Sequence, residues 1–318
     1  MELETPISQI IRGADVNARY DAACKRLLSE KIILSWIMKE VLSEYRDIDV
    51  KDIAAKYIEG NPQVGKAPVH QDEPSPRIRG CNTEDTSINE GTITYDIRFN
   101  ATVPVSGDLI SLIINVEAQD NFYPGYPLLK RGIYYCGRLI SAQYGTEFTG
   151  SRYEKLKKVY SIWICMTPPG SRENSITRYS IREENLVGDV RENVENYDLI
   201  SLVMICLGRA RQEDDPNVLK LLDVLLSSET GQQEKRHILQ EEFDIPMTKQ
   251  FDEEVSLMCN LSKGVMEKGI ETGRLNALID SVHALMESAQ VSAERAMEML
   301  KISDKDKISL KKALNSKN

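Results

Sequence analysis

The sequence predicts an α+β fold: a mixed sheet built in the order αβββαβ, followed by an all-helical tail. Three observations predict it. Apolar residues recur at helical spacing over residues 17–45. Apolar and polar residues then alternate across residues 91–119, the period of half-buried strands. Beyond about residue 212 the strand signals stop and helical patterns take over.

Taken in order, residues 17–45 predict one long helix, since Leu27, Leu34, Met38, Val41 and Tyr45 share a face and no Gly or Pro interrupts. A short helix is expected from Val50 to Tyr57. "EGNPQVGKAPVHQDEPSPR" (59–77) is rich in Pro and Gly and reads as a loop. Strands are expected over 77–84, 91–103 and 108–119. A helix over 126–144 follows, with Ile133, Gly137, Ile140 and Tyr144 as its apolar side. "KVYSIWICM" (158–166) reads as a buried strand, and 176–184 with 197–207 as a further strand pair.

The tail begins with two helical stretches, "PNVLKLLDVLLSS" and "QQEKRHILQEEF". A long stem then runs from Lys249 to Met286, with Gly264, Gly269 and Gly273 inside it. Glycine in a helix costs about 1 kcal/mol relative to Ala, which points to close packing, a kink or a weakly stable stem. Two short helices close the chain, with Ser292 and Ser303 as N-caps. The expected organisation is a core with an extra hairpin over 1–211, a helical extension over 212–248, and a stem with a short helical module over 249–318.

The 318 residues carry a net charge of −9, which argues against non-specific binding of polyanions. The charge is uneven, however. From Asp120 to Arg182 ten bases stand against four acids, a local surplus of six positive charges. The six cysteines form no CxxC pair and read as reduced thiols. The three histidines lie far apart, which weighs against a histidine metal site or a Ser-His-Asp triad. "MELETPISQI" has acids where a signal peptide wants bases, and "LISLVMICLG" (199–208) is too short to span a bilayer. The expectation is a cytoplasmic protein with no membrane partner.

The chemistry concentrates in the predicted hairpin. In "GTITYDIRFN" (91–100) Asp96 lies on the polar face, and in "LISLIINVEAQ" (109–119) Asn115, Glu117 and Gln119 share the face opposite the apolar one. A two-residue turn at Ser106–Gly107 sets Asp96 directly opposite Glu117. Like charges so placed repel. A divalent cation held by both carboxylates would remove the repulsion, as would Arg98 or a shared proton.

Asp96, followed after twenty residues by "EAQ", resembles the PD-(D/E)XK nuclease signature, and the αβββαβ order matches the restriction-endonuclease-like core of that superfamily. More specifically, "YDAACKRLLS" (20–29), "GTITYDIRFN", "IINVEAQ" and "KGVMEKGIETG" resemble the PD-(D/E)XK nuclease family transposases, a group of recombination-promoting nucleases. The resemblance implies a Mg²⁺- or Mn²⁺-dependent DNA endonuclease in which Asp96 and Glu117 bind the metal and Gln119 stands where the superfamily has lysine. Glutamine orients a water but carries no charge, so a cation must come from elsewhere. Arg131 and Arg138, which the helical spacing places with Tyr134 and Tyr135 opposite the apolar stripe, are candidates; the same four residues also read as an ordinary solvated face.

Asp21 and Lys25 stand one helical turn apart. They read as a surface ion pair worth a few tenths of a kcal/mol, roughly, or, by the same resemblance, Asp21 assists the metal site. The runner-up function is a non-cutting DNA-binding or interaction protein on a nuclease core, favoured by Gln119 and the net charge. The stem is expected either to pair two copies of the chain or to fold back on residues 212–243 of its own chain. The basic end of the tail reads as a packing element or as a helix–turn–helix that touches phosphates.

Overall fold

The structure, a computed structural model, describes residues 18–64, 84–87, 91–94, 96–104, 109–117, 122, 125–208, 217–227, 229–303, 306–308 and 310. The chain divides into two compact units, residues 18–259 and residues 260–318 with the first seventeen. The larger unit is α+β, with a mixed six-stranded sheet.

The expected first helix is two. Helix α1 covers 18–28 and α2 covers Lys31–Val41. The break falls at Ser29, whose hydroxyl donates to the Arg26 carbonyl at 2.7 Å, and at the extended N-cap Glu30. A serine that bonds back to its own turn competes with the helical ladder. A short helical segment, α3 at Val50–Asp52, opens on Asp49, which accepts from the Lys51 amide at 2.8 Å; it continues as a π-turn through Tyr57.

The sheet has the order β1 (Gln63–Val64), β4 (Ile97–Thr102), β5 (Leu109–Glu117), β6 (Val159–Cys165), β8 (Ile200–Cys206), β7 (Ser175–Ser180). β5, β6 and β8 run parallel; β1, β4 and β7 pair antiparallel at the two sides. All seven residues of β6 are buried, as a central parallel strand covered on both faces requires. The expected strand over 91–103 divides. Its first part, β3 (Gly91–Thr94), joins β2 (Glu84–Ser87) in a separate two-stranded ribbon, and its second part is β4. Asp96 lies in the bend between them. Residues 77–83 of the first expected strand lie outside the described residues.

The hairpin register also differs from expectation. Ile97 pairs with Ile114 and Thr102 with Leu109, two residues away from the pairing that a Ser106–Gly107 turn dictates. Residues 105–108 lie outside the described ones, but the strand ends leave six residues between Thr102 and Leu109 rather than a tight turn. Pro104 has no amide hydrogen to give the ladder, which fits β4 ending at Thr102.

Helix α4 (Leu128–Ser141) packs on one sheet face through Leu128, Tyr135, Cys136 and Leu139, against Val159, Trp163, Leu202 and Met204. The expected stripe does not form the buried side: Ile133 is exposed, and Tyr144, also exposed, lies beyond the helix end at Ser141. The buried side includes Gly132, where closeness to Leu202 and Trp163 leaves no room for a side chain. Helices α5 (Asn217–Leu226) and α6 (Gln232–Glu241) follow. The fully buried Lys235 of α6 donates to the Leu225 and Ser227 carbonyls, so it caps the end of α5.

Helix α7 runs from Lys249 to Ala289, 41 residues, close to the expected stem. In the smaller unit its later turns surround Val282, with Ala296 and Met297 of α8 (Ala293–Met299), Ile302 and Leu310. Ser292 accepts from the Arg295 amide and Ser303 from the Asp306 amide, the two expected caps. Arg274 donates to both oxygens of Asp306 at 2.9 and 2.6 Å.

Candidate functional site

The strongest cluster of charge in the sheet region starts from Lys25. Helix α1 buries Ala23, Cys24, Leu27 and Leu28, and Lys25 lies on the border of that stripe, only 7% exposed. Its ammonium meets Asp21 Oδ2 at 2.6 Å, one turn back on the same helix, and Asp96 Oδ1 at 2.8 Å, in the bend before β4. Two carboxylates from separate elements therefore converge on one cation. Both are about three-quarters buried at the side chain, with exposures of 25% and 22%.

The electrostatics follow from that geometry. Burial pushes the Asp21 carboxyl above the ordinary carboxylate value; Lys25 pulls it down and Asp96 pushes it up. Burial works against the Lys25 ammonium, but Asp96 and Asp21 outweigh it and hold its pKa above the ordinary lysine value. The surface ion pair read from the sequence is thus a buried one with a third member. The reading missed Lys25 as a site residue because an i,i+4 pair looks the same in sequence whether it faces water or the sheet.

Glu117 ends β5, its Cα level with Cys165 of β6, and its side chain lies outside the described residues. Gln119 lies outside them altogether. The β4–β5 register is two residues from the one that sets Asp96 opposite Glu117, and Asp96 stands in the bend before the ladder begins. The direct opposition of Asp96 and Glu117 expected from the tight turn is therefore not the register observed. Among the described residues no three His, Cys, Asp or Glu side chains are placed to share a metal ion. The oxygen donors of Asp21 and Asp96, hard ligands that already share one cation, fit a Mg²⁺ or Mn²⁺ ion in kind.

The α4 candidates form a second cluster. Arg131 donates to Tyr135 at 3.0 and 2.8 Å and to Tyr126 at 3.0 Å, and its guanidinium lies 5.2 Å from the Tyr135 ring and 5.4 Å from the Trp163 ring. Arg138 is 6% exposed and donates to Tyr134 at 3.3 Å. The spacing that grouped these residues opposite the apolar stripe is corrected: Tyr135 and Arg138 are buried, and Tyr134 and Tyr126 are half exposed beside them. Arg131 and Arg138 each donate to a tyrosine hydroxyl, and Lys25 is a cation paired with Asp96 among the described residues.

A third network is structural. Lys158 lies between Glu44 at 3.0 Å and Asp198 at 2.6 Å, and the Tyr160 hydroxyl meets both Glu44 oxygens at 2.7 Å. It ties the turn after α2 to the start of β6.

The chain matches no protein-family model, no curated protein and no solved structure.

Proposed function

We propose that this chain is a Mg²⁺- or Mn²⁺-dependent DNA endonuclease with a restriction-endonuclease-like core, of the mobile-element or recombination type. One observation carries the reading: Asp21 and Asp96, on different elements, bring their carboxylates onto a single cation in the bend that leads into β4. The element order supports it, with α1 before β4 and β5, α4 after β5, and β6 parallel beside β5. In this reading Asp96 and Glu117 hold the metal, with Asp21 beside them. The ion, when bound, supplies Lewis acidity and a more acidic water. Gln119 orients that water through its amide. Arg131 and Arg138, with Tyr134, are auxiliary candidates on the helix that follows β5, Arg131 lying against the Trp163 ring of β6. DNA is the partner, drawn by the positive surplus over 120–182.

The test is relaxation and linearisation of supercoiled plasmid by the purified chain with Mg²⁺, Mn²⁺ or EDTA. Cleavage with either metal and none with EDTA is expected, and Asp96→Ala and Glu117→Ala should each lose it while remaining folded, Asp96→Ala at a stability cost of about 1–3 kcal/mol for the ion pair it removes from Lys25. A metal-independent activity, or either variant cutting at the wild-type rate, refutes the assignment. The second reading, a DNA-binding protein that does not cut, is favoured by the ion pair between Lys25 and Asp96, since an ammonium neutralises the carboxylate without any metal. It predicts DNA binding without nicking in all three conditions.

A further inference from the structure

We propose that Lys25 is the phosphate-binding cation of the site: its ammonium, positioned by Asp21 and Asp96, donates to a non-bridging oxygen of a DNA phosphodiester. The inference rests on the proposed nuclease reading for the identity of the anion, and on its own geometry for the residue.

Two observations carry it. First, a lysine ammonium has three N–H donors. Asp21 and Asp96 take two of them at 2.6 and 2.8 Å, and the third has no acceptor among the described residues. The side chain keeps 9% of its surface exposed, and an anionic oxygen is the strongest partner that this N–H can take. Second, the two carboxylates hold the ammonium from two elements, α1 and the bend before β4, so its position is set before any ligand arrives. A preorganised charge costs no rearrangement when negative charge develops on a phosphate. The position that ends the "EAQ" run carries an amide and provides no such charge.

The test uses the full chain, wild type and Lys25→Met, with a fluorescent DNA duplex. Binding is measured in Ca²⁺ over a range of salt, and cleavage in Mg²⁺ and Mn²⁺ under single-turnover conditions. Lys25→Met should lower the slope of log affinity against log salt by about one phosphate contact and slow cleavage by about 100-fold or more. Lys25→Met combined with Gln119→Lys should recover at least about tenfold of that loss, a rescue that a merely structural lysine would not show. An unchanged salt slope, or cleavage by Lys25→Met within about threefold of wild type, overturns the role of Lys25. Wild-type protein that binds DNA but never cuts refutes the nuclease reading, and the salt slope then still decides for or against Lys25. Wild-type protein that binds no DNA overturns both. Should Lys25→Met fail to fold, the ¹⁵Nζ resonance of Lys25 in the wild-type chain is followed on adding duplex: a shift supports the contact, and none overturns it.

Discussion

Gly132 lies where α4 meets the sheet, and replacing it tests how that helix is seated. A Cβ at Gly132 would come within 2.7 Å of Leu202 Cδ1 and 2.9 Å of Trp163 Nε1. Leu202 is 1% exposed, and Trp163 is held by its Nε1–H bond to Ser161 Oγ at 2.9 Å, so neither retreats freely. Forcing a methyl into such a contact costs about 1–3 kcal/mol. Against it, Ala is favoured over Gly in a helix by about 1 kcal/mol. Gly137, five residues on in the same helix, supplies the control, because a Cβ there meets nothing within 4 Å. Gly137→Ala should therefore stabilise by up to about 1 kcal/mol. Gly132→Ala should be neutral to destabilising by about 2 kcal/mol. The propensity gain is common to both, so the gap between them isolates the clash, about 1–3 kcal/mol. Urea unfolding followed by tryptophan fluorescence reads the relevant unit, since both tryptophans, Trp36 and Trp163, belong to residues 18–259. If the two variants differ by less than about 0.5 kcal/mol, the helix is not seated on Trp163 and Leu202 as described.

Two further outcomes follow from other parts of the chain. Burial pushes the Glu44 carboxyl up, but the Tyr160 hydroxyl and the Lys158 ammonium outweigh it, so its folded pKa lies below the ordinary 4.5. Its stabilisation is thus present above pH 4.5 and is lost as pH falls through the lowered value. Glu44→Gln should cost about 1.5–3 kcal/mol at pH 7 and flatten the acid limb of a stability–pH profile; an unchanged acid limb would exclude Glu44 as its source. Of the apolar positions expected to pair two chains through the 41-residue helix α7, Leu261 is buried and Ile279 and Val282 pack in the chain's own smaller core, which leaves Leu257, Val265, Ile270 and Leu275 as the positions for a symmetric pair. Sedimentation of the full chain at micromolar concentration should give a dimer, and a monomer across that range rejects the pairing.

The sequence by itself determined the class of this fold and the order of its elements, because both depend on short-range patterns. The alternation in "GTITYDIRFN" and "LISLIINVEAQ", the buried run "KVYSIWICM" and the caps Ser292 and Ser303 each reflect one residue's relation to its near neighbours. Helices α5, α6 and α7 were legible for the same reason. What only the tertiary structure decided was every relation across space. The loop between β4 and β5 is six residues rather than two, and no local pattern counts residues in a connector, so Asp96 faces a different point of β5 than a tight turn implies. The buried side of α4 is set by the surface it meets: Ile133 of the expected stripe is exposed, Tyr144 lies beyond the helix end at Ser141, and Tyr135, Cys136 and Leu139 are buried instead. Lys25 is the sharpest case. Its partner on α1 is four residues away, but Asp96 is 71 positions further along the chain, and only packing α1 against the start of β4 turns a lysine, a helix-turn acid and a bend acid into one charged cluster.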